Sequence, residues 1–224
     1  MVSVRSRATR PHDAGAAPFC VLLGPDHAGK STVMERLRGS GAPWRLLSVD
    51  DRFLGPEHAL IGRLRREVVG EVTGADGVWS PDFLTTMVQT AVVHLRDQLL
   101  HGDPSRPAVV DSYYYKLLAK CRLAGALDHP MFDWWRSFPR PRRVIYLDVR
   151  PESAWQRCGH GRNLNALEYY GERPERDGFE LYQRDLAKTM WDEIRDLPVT
   201  VIGEEHGPAR TTEEIRKVLT DEFD

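Results

Sequence analysis

No apolar run in the 224-residue chain approaches the roughly 18 residues that a membrane-crossing helix needs. Cysteine is scarce. Cys20, Cys121 and Cys158 make an odd count without a C-x-x-C pair, which fits a reducing, cytoplasmic compartment. The histidines are dispersed, with no H-E-x-x-H or comparable ligand spacing, so nothing points to zinc. An excess of either charge is missing too. Thirty-one Lys and Arg stand against 33 Asp and Glu, a balance that asks for neither nucleic acid nor an anionic membrane. Residues 1–17 contain arginine but lack the apolar centre of a secretory signal, and read as a flexible tail. Repeats and low-complexity segments are also absent. What remains is a 41% hydrophobic chain able to bury a core, read as one domain over residues 18–224.

The chain is organised around residues 19–32, FCVLLGPDHAGKST. They contain G-x-x-x-x-G-K-[ST], with Gly24, Gly29, Lys30 and Ser31 at the fixed positions. The pattern alone is weak, but an apolar β-prone run enters it and a helix-period run (Val33, Met34, Leu37) leaves it, as a phosphate-binding loop requires. Backbone N–H groups of Asp26, His27, Ala28 and Gly29 would form a nest for an anion, and the start of the following helix adds its dipole. Lys30 is expected on the β- and γ-phosphates, and the Ser31 hydroxyl, beside Thr32, on Mg²⁺. The plain alternative is a glycine turn that binds nothing.

Further apolar strands are expected at residues 44–49, 108–110, 144–147 and 199–202, each separated from the next by helical stretches. Ser80-Pro81-Asp82 starts a helix that runs to about residue 100. Residues 70–77 hold three glycines and read as a loop, and a last helix is expected over 211–219, capped by Thr211 or Thr212. Strands alternating with helices mean α/β: a three-layer P-loop NTPase fold, with a five-stranded parallel sheet, helices on both faces and an arginine-rich lid at about 158–176. Ligands in such sheets sit at the carboxyl ends of the strands. That rule selects residues 24–31, Asp50, Asp51, Asp111 and Asp148.

Asp111 closes a buried strand and could hold Mg²⁺ directly or through water; a plain helix cap is the alternative. Asp50 and Asp51 end the second strand, where an acid can serve as general base for an acceptor hydroxyl or bind the acceptor. Asp50 is the preferred base because it continues directly from Val49. Arg157, Arg162, Arg173 and Arg176 bracket a polar glycine-containing segment that could close on a transferring phosphate. Tyr113, Tyr114 and the aromatic run 132–135 could stack an acceptor ring, although most such residues are core. Trp79 and Phe53 are similar candidates. Asp26 could accept a hydrogen bond from a sugar hydroxyl, and His27 could touch phosphate.

With these residues assembled, the chain over about 18–220 resembles the thymidylate kinase-type P-loop kinases. GPDHAGKST is similar to that family's G-x-D-G-x-G-K-S-T, AVVDSYYYKLLA to its strand followed by D-R-Y, and VIYLDVRPESAWQR to its L-D-V-x-P-E-x-A-x-x-R. The resemblance implies that Asp26 meets a sugar 3′-hydroxyl, that residues 157–176 form the lid, and that the loop after the fifth strand lies near adenine. The arginine of D-R-Y is Ser112 here. The arginine that grips an acceptor phosphate after strand two is replaced by Asp50-Asp51-Arg52, a pattern that suits a hydroxyl and also resembles the strand-two aspartate of the chloramphenicol phosphotransferase type. The expected activity is therefore ATP- and Mg²⁺-dependent phosphoryl transfer to a hydroxyl of a small molecule, a nucleoside or nucleoside-like natural product. Lys30, Asp50, Arg157 and Arg162 would be catalytic, and Asp26, Asp50, Asp51, Arg52, Tyr113 and Tyr114 would face the acceptor. A thymidylate-type monophosphate kinase using Arg52 or Arg63, and a non-catalytic NTP-binding regulatory module, are the alternatives. A homodimer is left open.

Overall fold

The computed structural model describes residues 16–72, 78–205 and 207–224. Residues 1–15 of the expected tail lie outside them, and Ala17, its last residue, is buried at the foot of the first strand.

Five parallel strands form the sheet: β1 (Phe19–Leu23), β2 (Arg45–Leu47), β3 (Ala108–Asp111), β4 (Arg143–Asp148) and β5 (Val199–Gly203), in the order β2-β3-β1-β4-β5. The most apolar strand is thus the central one, with Leu22 in register with Asp111 of β3 and with Ile145 of β4. Its side chains alternate between two cores, as the two-residue period of a strand demands. Phe19, Val21 and Leu23 join one core with residues of α3 (Pro81–His101), α4 (Tyr113–Leu123), α5 (Met131–Arg136) and α7 (Arg176–Ile194). Cys20 and Leu22 join the other with residues of α1 (Lys30–Gly39) and α8 (Pro208–Phe223). All three thiols are buried, and burial pushes Cys20 up to about 12 and Cys121 up to about 11.

The remaining elements stand over the carboxyl edge of the sheet. A 3-10 turn (Pro56–His58) leads into α2 (Ala59–Glu67), which continues as a π turn (Val68–Val72). The expected loop at 70–77 therefore begins later than the glycines suggest. Gly70 lies in the π turn, and residues 73–77 are outside the described set. Ile61 and Leu64 face inward, but Leu60, expected beside them, is 54% exposed. Ser80 caps α3 as its sequence predicts, accepting from the Phe83 N–H at 3.1 Å. The last helix differs. Pro208 opens it three residues before Thr211, and the Thr212 hydroxyl donates back to the Pro208 carbonyl, so Gly207 is the cap. Strand two is shorter than expected because only residues 45–47 find partners on β3. Between α6 (Pro151–Arg157) and α7, the lid runs without regular structure and folds over the glycine loop.

Candidate active site

A cavity of about 560 Å³ opens at the carboxyl edge, where β1, flanked by β3 and β4, leaves a crevice. The loop after β1 forms its floor. Gly24 has φ 151°, and a Cβ there would sit 2.8 Å from the Leu147 carbonyl oxygen on β4. Gly29, with φ 96°, has nothing within 4 Å of a hypothetical Cβ. The first glycine is thus required by close approach and the second by backbone conformation. His27 also adopts positive φ, at 58°. Asp26, His27, Ala28, Gly29, Lys30, Ser31 and Thr32 all line the cavity.

Lys30 is buried and donates to the carbonyls of Gly24 and Pro25 at 2.9 and 2.8 Å. Burial lowers its pKa to about 7, with Lys116 adding to the shift. Asp26 is 6% exposed and lies between two ammonium groups, Lys116 at 2.5 Å and Lys120 at 3.0 Å. Its burial favours the neutral acid, yet Lys116, Lys120 and Lys30 outweigh that and hold the carboxylate well below the usual range. Burial likewise works against the charge on Lys116, but Asp26 more than offsets it and raises the pKa. Gln183 of α7 fixes the same spot by accepting from the Asp26 N–H at 2.9 Å.

Asp50 follows β2 and lines the cavity. Arg52 clamps both of its carboxylate oxygens, at 3.0 and 2.7 Å, and these bonds lower its pKa despite the opposing effect of burial. Asp51 and Arg52 are not among the cavity-lining residues. Asp51 is exposed and paired with Arg66, while Arg52 reaches outward to Glu35 at 2.5 Å. β2 ends at Leu47, and the turn that follows, closed by the Phe53 N–H donating to the Asp50 carbonyl at 2.8 Å, leaves Asp50 over the crevice and takes Asp51 and Arg52 out to Arg66 and Glu35. Asp111 lines the cavity at the end of β3 and accepts hydrogen bonds from Ser48 and Ser112, at 2.9 and 2.8 Å. Only part of its acceptor capacity is used.

The lid is oriented otherwise than its arginines suggest. Arg157 alone of the four lines the cavity, with Nη1 3.5 Å from the carbonyls of His27 and Ala28. Arg162 is exposed and donates to its own neighbour, Gly159, and Arg176 pairs with Glu180. Inward instead come Glu168, 3.2 Å from the His27 ring, and Asn165, which donates to Glu168. A count of arginines does not tell which way a loop turns. Of the aromatics, Tyr113 lines the cavity, whereas Tyr114 packs in the core against Tyr113 and Tyr115. Phe132 and Trp135 are also core, Trp79 stacks on Phe83, and Arg38 covers Phe53. In the tail loop, Glu204 reaches Arg157 at 3.4 Å, and His206 lies outside the described residues.

Lys116 and Lys120 were not singled out from sequence. Their only signal is an i, i+4 pair of lysines on a helix whose other residues, Arg122 apart, are aromatic, aliphatic or cysteine, YYYKLLAKCRL. That spacing puts both on one helix face, beneath the glycine loop.

A doubly wound parallel sheet of this order, with a glycine loop after its central strand, is the fold of solved thymidylate and deoxyadenosine kinase structures. Solved structures with this fold match nearly the whole chain. A thymidylate kinase from Candida albicans superposes with TM-score 0.61 at 16% identity, covering 93% of this chain and 94% of that one. A deoxyadenosine kinase from M. mycoides with dCMP and a flexible dCDP bound gives 0.58 at 16% identity, covering 91% and 98%, and the same kinase with bound dATP gives 0.55 at 15%, covering 91% and 99%. No family model and no curated protein matches the sequence.

Proposed function

We propose that the protein is an ATP-dependent phosphotransferase acting on the hydroxyl of a small molecule. The observation that carries this reading is one cavity lined together by the glycine loop, Lys30, Asp50 and Asp111. The acceptor oxygen would form a bond to the γ-phosphorus of ATP as the bond from that phosphorus to the β,γ-bridging oxygen breaks. The hydroxyl proton passes to Asp50, and the products are ADP and a phosphate monoester. Lys30, Lys116 and Arg157, all on the cavity lining, would neutralise charge on the moving group.

Ser31 and Asp111 suit Mg²⁺: a hydroxyl at the head of α1 and a carboxylate with spare lone pairs line the same cavity. Among the described residues no group of three or more His, Cys, Asp or Glu forms an all-protein cage, in keeping with an ion shared with substrate phosphates. When bound, the ion supplies positive charge to the polyphosphate.

Incubating the protein with ATP, Mg²⁺ and candidate alcohols should yield ADP and phosphomonoester, and Lys30→Ala should abolish transfer. Nucleotide binding without transfer to any acceptor would favour a regulatory module. A monophosphate acceptor has one supporting observation, Arg65 of α2 at the cavity lining. Arg52 is committed to Asp50 and Glu35, and Arg63 is absent from the cavity lining. Thymidine and dTMP, compared as acceptors, separate the two readings.

A further inference from the structure

Resting on the kinase reading, we infer that the acceptor is an alcohol with an apolar body, aliphatic or aryl, in place of a nucleobase. Most polar groups of the cavity come from the glycine loop, from Asp50 and Asp111, from α4 and from the lid. Its apolar wall is built by Ile61 and Leu64 of α2 and by Met87, Val88, Ala91 and Leu95 of α3. Five of the six lie beyond the first turn of their helix, where backbone N–H groups are paired within it; Ile61 is in the first turn of α2.

The few polar side chains on or near this wall are turned to other uses. Thr90 donates its hydroxyl to the Met87 carbonyl at 2.9 Å. Tyr113 presents its ring, its hydroxyl being buried from solvent. Asn165, the sole amide side chain among the described lining residues, belongs to the lid and donates to Glu168 at 2.6 Å. Arg65 also lines the cavity; it is exposed, and its charge adds to the lowering of the Asp50 pKa.

A nucleobase seated against this wall would bury several donors and acceptors without partners, each lowering affinity by about tenfold or more. An apolar ring or chain meets no such penalty and buries its surface against methyl, thioether and aromatic groups. The hydroxyl end of the same molecule would still reach Asp50.

The test is calorimetric titration of the full chain, loaded with a non-hydrolysable ATP analogue and Mg²⁺. One set of probes is 2-(2-naphthyl)ethanol, 3-phenyl-1-propanol and 3-cyclohexyl-1-propanol; the other is deoxyadenosine, thymidine and dTMP. At least one apolar alcohol should bind about tenfold more tightly than every nucleoside or nucleotide probe. Met87→Gln, which brings an amide to the wall at nearly constant volume, should reduce that preference by about tenfold while ATP-analogue binding is unchanged. Binding of the analogue in both proteins certifies that the variant is folded. Equal or tighter binding of any nucleoside or dTMP overturns the proposal, as does failure of all three apolar alcohols in a protein that binds the analogue. If the analogue itself does not bind, the kinase reading falls and this proposal falls with it.

Discussion

Two glycines in one loop separate two kinds of constraint at the scale of a residue. Gly24→Ala should lose nucleotide binding and much stability, because its Cβ would press on the Leu147 carbonyl and that strand cannot yield cheaply. Gly29→Ala should cost only about 1–2 kcal/mol, the price of a left-handed backbone. Denaturant melts of both variants, with and without ATP, check the order. Asp50 carries a pH prediction. Its pKa is depressed by Arg52, so it stays ionised through neutrality, and the acid limb of turnover should lie below the ordinary value of about 3.9. A depressed carboxylate stabilises the fold above its unfolded pKa and loses that contribution as pH falls through the folded one. Arg52→Ala should move the acid limb of a kcat–pH profile upward, whereas Asp50→Asn should lower turnover strongly and leave ATP binding intact. A profile unmoved in Arg52→Ala would remove Asp50 as the base. The loop glycines, Lys30, Asp50 and Asp111 were legible because glycine spacing and strand ends encode position locally. Asp51 and Arg52 were misplaced because the chain turns after β2 and pairs them with Arg66 and Glu35, which a string of three charges does not reveal.

At the scale of an element, α4 holds what sequence patterns passed over. Tyr113, Lys116, Leu117 and Lys120 share one face and line the cavity, so one helix supplies an aromatic wall and two cations. Those cations are matched by Asp26 alone at close range, with Glu168 3.9 Å from Lys120. Asp26→Ala would leave them without that buried partner and should destabilise the protein by about 3–5 kcal/mol, read from chemical denaturation. Lys116→Met should instead damage transfer more than stability, since it removes charge beside Lys30 as well as beside Asp26. Equal losses in both quantities would mark Lys116 as merely structural. The sheet was legible strand by strand from short apolar runs, and α3 from its Ser-Pro-Asp start. The lid was not: its arginines mostly pair with their own surroundings, and the residues that turn inward, Asn165 and Glu168, carry no periodic signal.

For the molecule as a whole, nucleotide binding and protonation should be linked through Lys30. Its pKa of about 7, against about 10.4 unfolded, means that between those values the unfolded chain holds more protons. Stability without nucleotide should therefore gain from this residue as pH rises through that interval. A polyphosphate favours the charged ammonium, so binding near pH 8 should take up protons. Calorimetry in two buffers of different ionisation enthalpy measures the uptake, and Lys30→Met should abolish it. Identical heats in the two buffers would contradict the linkage. The interior thiols have a practical consequence. Cys20, Cys121 and Cys158 are sealed from reagents, so the natural chain should give a silent background to maleimide dyes. One cysteine introduced at the outward-facing Arg173 would then carry a fluorophore alone, and its signal would follow the segment above the glycine loop as nucleotide arrives.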